Sequence, residues 1–142
     1  MKVVLDIETD GFNPSKIHCI VAKDINTNTV TIWDSGNMYG FKNWAKGVDT
    51  FIMHNGLSFD APVLNKLLDA EILPGNIVDT LILSQLFNPI REKGHSLKAW
   101  GEKLNMLKGG EGVNFSKYNQ AMLDYCKQDV EITHAVYNEL KK

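Results

Sequence analysis

The chain has 142 residues, 44% hydrophobic and 23% charged, the profile of one soluble globular domain with enough apolar material for a real core. Lys and Arg number 15 against 17 Asp and Glu, a net charge of −2, which excludes whole-molecule attraction to a polyanion and leaves that task to bound cations or a local patch. Cys19 and Cys126 form neither a CxxC pair nor a zinc spacing and read as reduced thiols of an intracellular, cytoplasmic protein, while Asp6 and Glu8 break the apolar N-terminal run and no stretch approaches membrane-spanning length.

Lys2 to Glu8 alternates around β-branched residues, and Asp10-Gly11 with Asn13-Pro14 then breaks it, the pattern of a strand ending in a turn. Ile17 to Lys23 is a second strand, separated by Asn26-Thr27-Asn28 from a third at Thr29 to Trp33, so the first three strands read as an antiparallel meander. After a polar loop, residues 41 to 47 form a short helix, and Thr50 to His54 is a strand buried on both faces. Val63, Leu64, Leu67 and Leu68 have helical spacing with Pro62 in the first turn, which places Asp60 at a helix start. A short strand, Ile77 to Asp79, leads into a helix from Thr80 to Phe87, and Asn88 to His95 is loop. Ser96 suits an N-cap for the helix carrying Leu97, Trp100 and Leu104. Lys108 to Gly112 is Gly-rich and reads as mobile. From Asn119 onward Met122, Tyr125, Cys126, Val130, Thr133, Val136 and Leu140 trace one face of a C-terminal helix. A meander followed by alternating helices and strands predicts an α/β fold over residues 1–142 as a single domain. Its mixed sheet is flanked by helices with the first strand near the centre, an architecture that matches the ribonuclease H-like type.

Asp6 and Glu8 lie two apart on a strand, so both side chains leave the same face. An Asp-x-Glu on a strand is most often a solvated face. Here the pair interleaves with Val3, Val4, Leu5 and Ile7, where unpaired charge is costly and calls for a cation. Tyr125 stands four residues before Asp129, which stacks phenol and carboxylate on one helix face. Taken alone, Tyr125 reads equally as core and Asp129 as a partly exposed helix charge, and Asp60 as a residue favouring a helix N-terminus.

The segments LDIET (Leu5 to Thr9), HNGLSFD (His54 to Asp60) and YCKQD (Tyr125 to Asp129) resemble, in order, the three exonuclease motifs of the DEDD superfamily. They look closest to the proofreading 3′-5′ exonuclease domain of short-tailed-phage DNA polymerases. The likeness extends to DTLILSQL (Asp79 to Leu86) and HSLKAWGEKL (His95 to Leu104), and so to nearly the whole chain. It implies that Asp6, Glu8, Asp60 and Asp129 are catalytic metal ligands for two divalent cations, Mg²⁺ or Mn²⁺, and that Tyr125 is the residue of the tyrosine subclass. The position that holds a His in the histidine subclass is Asp124 here. Thr9 and Asn55 are implied as contacts to the terminal nucleotide, although a strand-end threonine and a turn asparagine account for them equally well. His54 and His95 read as packing or hydrogen-bonding residues, and Trp100 and Phe59 as core rather than base-stacking rings. The chain runs only a few residues past the third motif, so the expectation is a free-standing nuclease or an exonuclease acting beside a separate DNA polymerase.

Phosphodiester hydrolysis needs an activated water and a counter-charge for the departing 3′ oxygen, both within reach of two metals. Two divalent ions would also reverse the sign of the −2 net charge. The resemblance thus implies release of nucleoside 5′-monophosphates from the 3′ end of single-stranded or frayed DNA. An exoribonuclease of the same superfamily remains open, because no residue can be assigned to reading a 2′-OH. A ribonuclease H-type endonuclease is disfavoured by the Asp6-Glu8 spacing, and a non-catalytic nucleic-acid or polymerase-binding module by the intact set of four carboxylates.

Overall fold

A computed structural model describes residues 1–106 and 113–142; the stretch Lys108 to Gly112 lies outside the described residues. Five strands, β1 (Lys2–Thr9), β2 (Ile17–Asp24), β3 (Val30–Trp33), β4 (Thr50–Met53) and β5 (Ile77–Asp79), form one mixed sheet in the order β3-β2-β1-β4-β5. The antiparallel meander of β1 to β3 and the central place of β1 are as the sequence predicts, and β4 and β5 join in parallel. The helices are α1 (Phe41–Ala45), α2 (Ala61–Leu68), α3 (Thr80–Phe87), α4 (Leu97–Lys103) and α5 (Gln120–Leu140).

Side-chain alternation along β1 sorts the molecule into layers. Val3, Leu5 and Ile7 point to one face, where Phe51 and Met53 of β4 join them against Phe41 of α1 and Val63 and Leu64 of α2. Val4 points to the other face, together with Cys19 and Val21 of β2 and Ile52 of β4, all covered by Leu123, Cys126 and Val130 of α5. Leu97 and Trp100 of α4 then pack on Ile132 and Val136 of α5. Phe51, Ile52 and Met53 are all buried, which bears out a strand covered on both faces. Asp6 and Glu8 continue the alternation of Val4, so the sheet presents both carboxylates to α5.

Asp60 stands at the N-cap position of α2, as expected, but the helix is preceded by a π-helical turn, Gly56–Asp60, that the sequence does not predict, with the N–H of Ala61 bonded to the carbonyl of Gly56. Asp60 makes no capping bond. The wide turn starts from Asn55 in the left-handed region, φ 65°, and it passes so close to β4 that a Cβ on Gly56 would sit 2.4 Å from Met53 Cβ. Gly-Leu-Ser-Phe carries no helical apolar spacing, which is why this turn escapes a reading by periodicity. π-turns inside helices are frequent at functional sites, because the extra residue redirects the side chains that follow.

Candidate active site

Three elements bring the four predicted carboxylates together. Asp6 and Glu8 come from the central strand, Asp60 from the π-turn and Asp129 from the middle of α5. Asp60 and Asp129 are each only 4% exposed, so neither is a solvated surface charge. Asp6, Glu8 and Cys126 each offer a ligand atom, and these atoms lie within 4.8 Å of one another. Burial, followed by the neighbouring charges of Asp129, Asp60 and Glu8, holds the Asp6 carboxyl well above the usual carboxylate range. Asp60 is raised for the same reasons, first by burial and then by Glu8, Asp79 and Asp129. Its Oδ2 is buried without a hydrogen-bond partner among the described residues.

Tyr125 sits half-buried on α5, edge-on to Phe115 with ring centroids 5.7 Å apart. The two nucleotide-contact candidates differ in setting. Thr9 is buried at the end of β1, its hydroxyl donating to the carbonyl of Gly11 at 2.9 Å and so tied to the turn. Asn55 is exposed at the mouth of the π-turn. His54 Nδ1 lies 2.8 Å from Thr80 Oγ1, and His95 Nδ1 lies 2.6 Å from Ser84 Oγ, in keeping with hydrogen-bonding histidines. Trp100 is core: its indole N–H donates to Ser84 Oγ at 3.0 Å. Phe59 is half-buried against the core of the α1/α2 face.

Two residues acquire importance that their sequence context hides. The Asp79 carboxylate accepts from the N–H groups of Asn55 and Leu57 at 2.9 and 3.1 Å, and from those of Leu81 and Ile82 at 3.0 and 3.4 Å. It thereby caps α3 and pins the π-turn to the end of β5. An Asp directly before a helix start is a capping signal, but the bonds from Asn55 and Leu57 are tertiary. Cys126, on the face traced for the C-terminal helix, is fully buried and places its sulfur 3.4 Å from Asp6 Oδ2.

A mixed five-stranded sheet with paired carboxylates on its central strand, roofed by a helix that carries another, defines the ribonuclease H-like α/β class. The chain superposes on Brucella melitensis NrnC with bound Mg²⁺ at a TM-score of 0.76 and 23% identity, covering 99% of this chain and 71% of that one. The sequence profile of the 3′-5′ exonuclease family matches residues 2–142, and the chain belongs to that family. It is 29% identical to the DNA-directed DNA polymerase of Escherichia phage T7 and 28% identical to that of Enterobacteria phage T3, in each case over 97% of its own length. It spans about a quarter of the length of these curated relatives, 26%. Among the described residues no helix is long and apolar enough to cross a membrane.

Proposed function

We propose that residues 1–142 act as a single domain, a 3′-5′ exodeoxyribonuclease of the tyrosine subclass, with two divalent cations held by Asp6, Glu8, Asp60 and Asp129. The observation that carries this reading is the convergence of these carboxylates in a buried site where Asp6 and Asp60 are pushed toward protonation by burial and by their neighbours. Such a cluster is costly until positive charge enters it. The donor set fits Mg²⁺ or Mn²⁺: the carboxylate oxygens are hard ligands, and one of them, Asp60 Oδ2, is buried without a hydrogen-bond partner among the described residues. When bound, the cations supply acidity to the attacking water and counter-charge to the departing 3′ oxygen.

The chain's own residues do the rest. Asp6 and Glu8, fixed on the central strand, set one side of the site, and Asp129 on α5 sets the other. Tyr125 orients the water through its hydroxyl, since a phenol with a reference pKa of about 10 is a poor base near neutrality. In this reading Asn55, at the entry to the π-turn, and Thr9, at the strand end, meet the terminal nucleotide. A recessed site favours single-stranded or frayed 3′ ends, because a paired terminus must first unstack at a cost of a few kcal/mol. DNA as substrate is supported by the phage relatives, whose names are those of DNA polymerases. The same relatives support a DNA polymerase as the partner of the domain.

Parallel digestion of end-labelled DNA and RNA strands of one sequence tests the proposal. With Mg²⁺, nucleoside monophosphates should appear from the free 3′ end of DNA faster than from RNA, and EDTA should stop both. Faster loss of RNA would move the substrate to RNA, and mononucleotides released in EDTA would remove the metals from the reaction.

A further inference from the structure

The pairing of β1 with β2 slips one residue beside Glu8: Glu8 faces Cys19 and Thr9 faces Ile17, which leaves His18 without a cross-strand partner. A bulge of this kind turns the extra side chain out of the strand's alternation, and bulges gather beside active sites for that reason. Here it directs His18 toward the α5 side of the sheet, where its Nε2 lies 2.9 Å from the carbonyl oxygen of Phe115. The carbonyl can only accept, so the neutral ring carries its proton on Nε2. His18 is 2% exposed, and its Nδ1 has no hydrogen-bond partner among the described residues. A buried ring held by one bond to a backbone 97 positions away is well placed to anchor the segment in front of α5. That segment presents the Phe115 ring edge-on to Tyr125, at 5.7 Å and 76°.

We propose that His18 is a positioning residue for Tyr125, acting through Phe115: the bulge beside Glu8 ties the segment carrying Phe115 to the sheet, and Phe115 limits the orientations open to the phenol. This rests on the reading of Tyr125 as the residue that orients the water. His18 touches no reacting atom, so its removal alters the rate of the chemical step and not the affinity for nucleic acid.

The test is a double-mutant cycle on the full chain, read as single-turnover hydrolysis of a single-stranded DNA 3′ end with Mg²⁺. His18→Leu should lower kcat about threefold to tenfold, the range of one lost buried hydrogen bond, with KM unchanged. His18→Gln, which restores an N–H at similar reach, should recover most of the rate. In a Tyr125→Phe background, His18→Leu should cost nothing further. Phe115→Ala keeps the carbonyl and removes the ring; it should show the same dependence on Tyr125, and it serves where His18→Leu does not fold. Equal losses in both backgrounds, or no rescue by Gln in a folded variant, would overturn the role of His18 while leaving that of Tyr125 intact. A Tyr125→Phe variant as fast as wild type would instead remove the reading of Tyr125, and this inference with it.

Discussion

The sulfur of Cys126 on α5 lies 3.4 Å from Oδ2 of Asp6 and 3.5 Å from the carbonyl oxygen of the same residue, so a helix thiol donates to the carboxylate at the centre of the sheet. Burial above all, then a bond with Cys19 and the Asp6 charge, pushes the Cys126 thiol up, away from the reactive thiolate. Both cysteines are fully buried. A disulfide-exchange reagent at pH 8 should therefore find no reactive thiol in the native protein and two after unfolding in guanidinium. Labelling of Cys126 within minutes under native conditions would show that α5 lifts from the sheet far more readily than this packing allows.

Asp6→Ala and Asp129→Ala each remove a proposed metal ligand without removing apolar core volume. Exonuclease activity should fall below detection in both, with the far-ultraviolet circular dichroism of wild type retained. Activity of either variant within tenfold of wild type would detach that residue from the metal site.

The pH dependence of the metal-free protein follows from the raised carboxyls. Asp6 and Asp60 bind protons more tightly in the folded chain than in the unfolded one, so the stability they contribute is full below the unfolded carboxylate value of about 4 and is lost as pH rises through their folded values. Asp10, Asp49 and Asp69 are shifted down by hydrogen bonds and ion pairs and add no slope above that range. His134, held below its ordinary value by burial and by Lys23, contributes a slope of opposite sign near neutrality. The informative quantity is therefore the difference between wild type and Asp6→Asn. In EDTA the variant should gain in Tm over wild type as pH rises from 5 to 8. Mg²⁺ should stabilise wild type more than the variant, in proportion to RT ln(1 + [L]/Kd). Parallel melting curves at every pH, with equal gains from Mg²⁺, would place Asp6 outside the cluster.

Asp79→Ala should be the costliest polar substitution outside the proposed ligand set. It leaves the N–H groups of Asn55, Leu57, Leu81 and Ile82 without their carboxylate. The loss should be about 2–4 kcal/mol, combining one helix cap with hydrogen bonds to a charged group. Chemical denaturation measures it directly. Asp79→Asn, which keeps one acceptor oxygen, should lie between. A loss under 1 kcal/mol for the Ala variant would mean that water or a shifted loop replaces the clamp.

Much of this molecule is readable along the chain because its elements obey local periods. The alternation of Val3 to Glu8 yields a strand with two carboxylates on one face, and the helical spacing from Met122 to Leu140 yields α5 with Tyr125 above Asp129. The meander and the central strand follow from short polar turns between β-branched runs. Three motifs in order were enough to indicate the family. The site itself depends on contacts between residues far apart in sequence, which no local pattern encodes. That Asp129 is buried rather than a surface charge is decided by the packing of α5 across β1 and β2. The π-turn before α2 arises from the close approach of Gly56 to Met53 and from the Asp79 clamp, both tertiary. The same holds for the bulge that releases His18 from the strand's alternation: it is a property of the register between β1 and β2, and register is set by which faces of two strands are buried together.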